Sequence, residues 1–182
     1  PSPAPLESFP GWFPGMSFSE VLIRPRRTGV LVECTSSNWR TGEPQLEFIH
    51  AAFNLGWHVV AASKGALVVD FKNLQAKARA KKLSLKFSGA TAAALPTLDV
   101  ATISLAGAKI LGFEGVLTGT TNYILSRLEQ GLSFEEALKD ARARGIAETD
   151  PSMDIDGWDT ACKVLLLATA SAGTELVLDD RE

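Results

Sequence analysis

Apolar positions along this chain alternate between short continuous runs and helical spacing. Gly29-Val30-Leu31-Val32-Glu33-Cys34-Thr35 predicts a short buried strand that opens into a polar loop, Ser36-Ser37-Asn38. His58-Val59-Val60-Ala61-Ala62 predicts a second buried strand, followed by Ser63-Lys64-Gly65. Between them Leu46, Ile49, Ala52 and Phe53 recur at helical spacing, so Gln45 to Leu55 is a predicted helix that Gly56 ends at a C-cap position. The unit over 30–62 is therefore β-loop-α-β, which favours a right-handed crossover in a parallel sheet. Asp70 to Lys82 predicts a basic helix, and Leu83 to Phe87 alternates as a strand does.

Ser88 to Pro96 is then a run of small residues that lets a backbone approach a ligand or a neighbouring helix. Val100 to Gly107 leaves strand and buried helix open. Ile110 to Thr118 favours a strand, from Phe113, Val116 and the flanking Gly112 and Gly115. After Gly119-Thr120-Thr121-Asn122 the spacing of Tyr123, Ile124, Leu125 and Leu128 turns helical. Ser133 and Glu136 match a capping box for a helix that runs to Arg144 and stops at Gly145. Val164-Leu165-Leu166-Leu167-Ala168 is apolar enough that its helix is largely buried.

At 182 residues and 46% hydrophobic, the chain can bury a sizeable core, arranged as one domain or two small ones. A net charge of −3 and a pI of about 5.5 argue against a nucleic-acid partner, which needs a basic stripe; Arg24, Arg26 and Arg27 read as a short solvated cluster. No apolar run approaches the roughly 18 residues of a membrane helix, and no charged segment precedes an apolar one at the start. Cys34 and Cys162 form neither a disulfide framework nor a metal-ligand spacing, so the expectation is a soluble protein of a reducing, cytoplasmic compartment. Five of the nine prolines fall in the first fourteen residues, and Pro1 in place of Met reads as a processed or excised end. Leu178 to Glu182 stops where a new helix could start, and reads as a second cut end.

The candidate chemistry lies between Glu148 and Lys163. Glu148, Asp150, Asp154, Asp156 and Asp159 are followed by Lys163, four residues beyond Asp159 and so on the same helix face. A lysine on a buried helix needs a partner or a function. On their own the two residues read first as an ion pair stitching a helix end. Asp154, Asp156 and Gly157 do not follow the order of a calcium loop, and no metal site is expected. His50 and His58 are isolated and read as structural, Cys162 points to another helix face than Lys163, and Tyr123 reads as core with a hydrogen-bonded hydroxyl.

Three blocks carry a resemblance: Gly119-Thr-Thr-Asn-Tyr-Ile-Leu125, Gly145-Ile-Ala-Glu-Thr-Asp-Pro151, and Asp154-Ile-Asp-Gly-Trp-Asp-Thr-Ala-Cys-Lys163. In order and spacing they resemble the catalytic-domain signature of the homoserine dehydrogenase family. Weaker likeness extends to Glu33-Cys-Thr-Ser-Ser37 and Ala62-Ser-Lys-Gly-Ala66, so the resemblance covers roughly residues 20 to 182. It implies an α/β fold in which a partial Rossmann-like parallel sheet joins an α+β mixed-sheet catalytic and dimerisation domain. The corresponding division is a proline-rich segment over 1–19, a partial nucleotide-binding domain over 20–87 and a catalytic domain over 88–182 whose truncation stays open.

The activity so implied is the NAD- or NADP-dependent interconversion of aspartate 4-semialdehyde and homoserine, in threonine and methionine biosynthesis, by a homodimer. By position, Lys163 would be the general acid and Asp159 would orient it and favour its charged form. Lys64 would sit where nicotinamide and substrate meet. Glu148 would bind the substrate ammonium, Gly119 and Thr120 would line the same pocket, and Asp154 would hold the substrate or its loop. Thr35 and Ser36 would lie beside the dinucleotide.

The chain also departs from the family pattern. No G-x-G-x-x-G fingerprint precedes residue 20, Ser63 stands for an Asn and Ile146 for a Tyr, and Ala92-Ala93-Ala94 replaces a glycine-rich stretch preceded by a Glu that helps bind a monovalent cation. The sequence therefore leaves open the choice between NAD and NADP. It also leaves a second reading, a non-catalytic module for dimerisation or substrate binding without a complete cofactor site.

Overall fold

A computed structural model of the chain describes residues 8, 20, 28–148, 150–173, 176 and 178. Nearly all of the proline-rich start, Arg24, Arg26 and Arg27, and the final acidic residues lie outside them. Three parallel strands, β1 (Val30–Glu33), β2 (His58–Ala61) and β3 (Leu85–Lys86), lie side by side in chain order. Val30 is in register with His58, and Val59 with Leu85. Helix α1 (Gln45–Asn54) connects the first two strands and α2 (Gly65–Ala80) the second and third. The α/β class and the parallel sheet are thus as the sequence predicts.

Helix α2 begins five residues before the predicted Asp70. The apolar run Ala66-Leu67-Val68-Val69 hides its period, but in the fold Ala66 and Leu67 are buried on the core side. Asp70 itself has non-helical backbone angles, φ −141° and ψ 33°, and marks a kink inside the helix. The first strand is less enclosed than its composition suggests, because described helices cover one face of the sheet. Val30 and Val32 are 55% and 63% exposed, while Glu33 is buried.

The second half is helical. Short α3 (Ser88–Ala92) and α4 (Thr97–Asp99) lead into a π-helical turn over Val100–Ser104, so 100–107 is neither the strand nor the buried helix left open but an exposed helical turn, with Val100 and Ile103 45% and 66% exposed. They are followed by α5 (Gly119–Glu129), α6 (Phe134–Ala143), α7 (Ser152–Ile155) and α8 (Trp158–Ala172). The predicted capping box is present: Ser133 Oγ accepts from the Glu136 N–H, and Glu136 Oε2 accepts from the Ser133 N–H at 2.8 Å. The strand expected over Ile110 to Thr118 does not form. A strand needs a neighbour for its backbone groups, and among the described residues no backbone group pairs with 109–117. Leu111 and Val116 are 86% and 72% exposed there. No second, mixed sheet therefore forms among the described residues of 88–182.

One core joins the two halves. Ile49 and Phe53 of α1, Val59 of β2, and Leu67 and Leu74 of α2 pack with Leu165 and Leu166 of α8. Fully burying a leucine contributes about 2 kcal/mol, so these two residues anchor α8 firmly against the sheet side. A smaller core, Ile124, Ala137, Ala141 and Ala147, closes α5 on α6.

Candidate active site

Because the strands are parallel, the loops after β1 and β2 emerge at the same edge of the sheet, where ligands bind in open α/β folds. The first loop presents Ser36 and Ser37, the second Lys64. The loops are tied together, since the Lys64 N–H donates to Ser37 Oγ at 2.9 Å. Gly65 lies so close to the loop that a Cβ there would meet Asn38 O at 2.7 Å, which leaves room for glycine alone.

Facing this edge is the N-terminal turn of α8. Gly157 precedes it at φ 83°, in the left-handed region that favours glycine, and turns the chain so that the helix starts beside the cleft. Lys163 Nζ lies 2.7 Å from Asp159 Oδ2, and Lys64 Nζ lies 3.1 Å from Asp159 Oδ1. The three side chains are 17%, 20% and 14% exposed for Lys163, Lys64 and Asp159. Burial works against the charge of Asp159, but the hydrogen bond from Lys163 and the field of Lys64 outweigh it and hold the carboxyl below its ordinary value. Lys163 also donates to the Leu117 carbonyl at 2.7 Å.

Ser36, Ser37, Lys64, Glu148, Asp150, Met153, Asp154 and Asp159 line a cleft of about 290 Å³. Its charged lining is one lysine and four carboxylates, so its field favours a ligand with an ammonium group. Lys163 sits beside the cleft, held by Asp159. Asp154 is held from the start of α5, where Thr118 Oγ1, just before the helix, donates to Asp154 Oδ1 at 3.1 Å and Thr121 Oγ1 donates to the Asp154 carbonyl at 3.1 Å.

Residues 96–182 match the homoserine dehydrogenase family model. The chain is 43% identical over 160 residues to the homoserine dehydrogenase of Methanocaldococcus jannaschii, covering 87% of this chain and 48% of that protein. It is 35% identical over 164 residues to an NAD(+)-dependent homoserine dehydrogenase of Pseudomonas canavaninivorans, covering 90% and 47%. A hyperthermophilic archaeal homoserine dehydrogenase, solved in complex with NADPH, superposes with a TM-score of 0.72 at 28% identity, over 80% of this chain and 44% of that one. Residues 96–182 place this part of the chain in the homoserine dehydrogenase family. It spans about half the length of the curated relatives it matches.

Of the residues that the resemblance singles out, the fold gathers Lys64, Asp159, Glu148, Asp154 and Ser36 on one cleft, with Lys163 beside it on Asp159. Three others lie away from its wall. Thr35 is exposed, but its N–H and hydroxyl donate to the buried Glu33 carboxylate and its hydroxyl accepts from Gln45 Nε2, which fixes the root of the loop that carries Ser36. Thr120 Oγ1 donates to the Ile146 carbonyl at 3.2 Å and steadies the loop leading to Glu148. Gly119 is exposed at the start of α5 and lies off the cleft wall. Sequence reasoning did not single out Ser37 or Met153; only the position of Ser37 in the polar loop after β1 hinted at a role.

The residues present fit one end of a dinucleotide. Ser36, Ser37 and Lys64 offer hydroxyls and a cation at the sheet's C-terminal edge, suited to the nicotinamide and its ribose. The pyrophosphate end has no glycine-rich turn among the described residues. Among the described residues, no group of three or more His, Cys, Asp or Glu could hold a metal ion, and no helix is long and apolar enough to cross a membrane. Cys162 is buried, and burial pushes its thiol up to about 11, which suits packing and not nucleophilic chemistry.

Proposed function

We propose that this chain carries the substrate pocket and the nicotinamide-facing edge of an enzyme that interconverts aspartate 4-semialdehyde and homoserine with NAD or NADP. The observation that carries this reading is the meeting of Lys64 and Lys163 on the two oxygens of Asp159, beside a cleft whose remaining charged groups are carboxylates. Glu148 binds the substrate ammonium and Asp154, fixed by Thr118, holds the substrate on the same wall. Ser36, Ser37 and Lys64 hold the nicotinamide end, and a bound nicotinamide supplies the hydride.

The aldehyde oxygen gains negative charge as its carbon is reduced. Lys64, on the cleft wall, positions that oxygen, and Lys163, seated beside the cleft against Asp159, gives up one Nζ proton so that the oxygen, still bonded to its carbon, becomes a hydroxyl. An ammonium has three N–H donors; the Asp159 carboxylate and the Leu117 carbonyl take two from Lys163, which leaves one for the substrate. Asp159 orients Lys163 through their 2.7 Å ion pair. A cytoplasmic homodimer serving threonine and methionine biosynthesis is the setting that the family membership supports, and light scattering tests the dimer.

Isothermal titration with homoserine and, separately, with NADPH tests the reading. Homoserine binding without NADPH binding supports a substrate pocket with incomplete cofactor machinery, and binding of both supports a complete site. Binding of neither overturns the reading and favours a non-catalytic module, which the absence of a G-x-G-x-x-G from the sequence motivates. Where turnover is measured, Lys163→Ala lowers it by about a hundredfold or more, and near-normal turnover rules out Lys163 as the acid.

A further inference from the structure

The ring of Trp39 stacks on that of Trp158, with centroids 4.1 Å apart and planes 19° from parallel. Neither residue belongs to the two hydrophobic cores. Trp39 sits in the loop between β1 and α1, where the Arg40 guanidinium also lies 4.5 Å from its ring centroid. Trp158 is the first residue of α8, next to Asp159. The stack therefore spans from the sheet-side loop to the helix that carries Asp159 and Lys163.

We propose that Trp39 and Trp158 are positioning residues whose stack clamps the loop onto α8 and so sets Lys64 against Asp159. This rests on reading the cleft as the active site. Three observations link Trp39 to Lys64. Asn38 Oδ1 accepts from the N–H groups of Arg40 and Thr41 at 3.2 Å each, which makes the tip around Trp39 a rigid turn. Ser37 Oγ holds the Lys64 N–H, and Gly65 packs on the Asn38 backbone. Trp39, Asn38 and Lys64 thus move as one piece, and Trp158 and Asp159 as another.

The two pieces meet beside the cleft through the stack and through the 3.1 Å ion pair. An ion pair with partly exposed partners contributes little by itself and must also order a flexible lysine. Two stacked indoles bury far more surface and constrain orientation as well as distance. The stack is the stronger of the two contacts, so it sets the geometry and the ion pair follows.

The test is residue-resolved acylation of lysines with an amine-reactive acetyl ester, read by mass spectrometry, on the 182-residue chain and its variants. An ammonium held by Asp159 reacts slowly. In Trp39→Ala the reaction at Lys64 rises about fivefold, the loss expected for one modest ion pair, while the exposed Lys109 keeps its rate. Trp39→Phe, which keeps an aromatic face, restores most of the protection. Should Trp39→Ala fail to fold, Trp39→Leu carries the same test with apolar bulk and no ring. The circular-dichroism couplet of two stacked indoles is present in the parent chain and lost in every Trp39 variant. An absent couplet in the parent, or an unchanged Lys64 rate in folded Trp39→Ala or Trp39→Leu, overturns the proposal. Failure of homoserine and NADPH to bind would sink the functional reading and leave this result untouched.

Discussion

Thr118 Oγ1 donates to Asp154 Oδ1 at 3.1 Å, although Thr118 stands where a helix-capping hydroxyl would serve α5 and makes no such cap. Its hydroxyl is committed to the cleft instead. Thr118→Val removes that hydrogen bond with little change of shape and no cap to lose. The expected result is a homoserine Kd about fivefold weaker, equivalent to about 1 kcal/mol for one hydrogen bond, with an unfolding transition close to that of the parent. Titration calorimetry and a thermal melt measure the two; unchanged affinity would remove Asp154 from the binding wall.

Asp159→Asn leaves two partly buried lysine ammonium groups without their shared carboxylate. About 2 kcal/mol of stability is lost near neutral pH, the scale for leaving a charged group unsatisfied, as read by urea unfolding. Because the Asp159 carboxyl is held below its ordinary value in the fold, its contribution is fully present above about pH 4, the unfolded carboxylate range, and is lost as pH falls through the lower folded value. The parent and the variant therefore converge in acid. A gap that stays constant from pH 7 to pH 2 would contradict the linkage.

A second acid-sensitive carboxylate lies outside the cleft. Asp140 of α6 accepts from the Tyr123 hydroxyl at 2.6 Å, from Arg127 Nη2 at 2.6 Å and from Arg144 Nε at 2.9 Å, and these hold its carboxyl far below the usual range, the tyrosine hydrogen bond first among them. Asp140→Asn should loosen the α5–α6 pair at neutral pH and matter progressively less below about pH 4. Amide exchange over residues 119–143, at pH values where the method works, gives the neutral end. The acid end comes from circular dichroism, where a persistent difference at pH 2 would speak against the assignment.

Gly65→Ala adds a methyl group 2.7 Å from Asn38 O. The loop must move away from α2, at a cost of about 1–3 kcal/mol for overpacking, and Ser36 and Ser37 move with it. Both a lower melting temperature and weaker NADPH or homoserine binding are expected. A stable variant with unaltered binding would show that the loop position is irrelevant to the site.

What the sequence reveals here follows the range of the interaction. The β1-α1-β2 unit and the Ser133–Glu136 capping box were legible because their periods and offsets are local. The Asp159–Lys163 pair was legible for the same reason, at four residues' spacing on one helix. The start of α2 was hidden because Ala66 to Val69 are all apolar and show no period until the core on one side selects a face. The strand expected over 110–118 failed because β structure depends on a neighbour that composition alone does not supply. No spacing rule joins Lys64 to Asp159 or Trp39 to Trp158; family resemblance brought Lys64 to the site, and nothing in the sequence pointed to the stacked indoles.

The two leucines that α8 sends into the sheet-side core carry a lesson for anyone recombining this protein with its relatives. Asp159 and Lys163 ride on the same helix as Leu165 and Leu166. A chimera joined near residue 88 would import its charged residues from one parent and the socket that seats them from another. Misfit in a greasy contact would then surface as a displaced Asp159–Lys163 pair, even with every polar side chain intact. Exchanges should keep α1, α2 and α8 from a single donor.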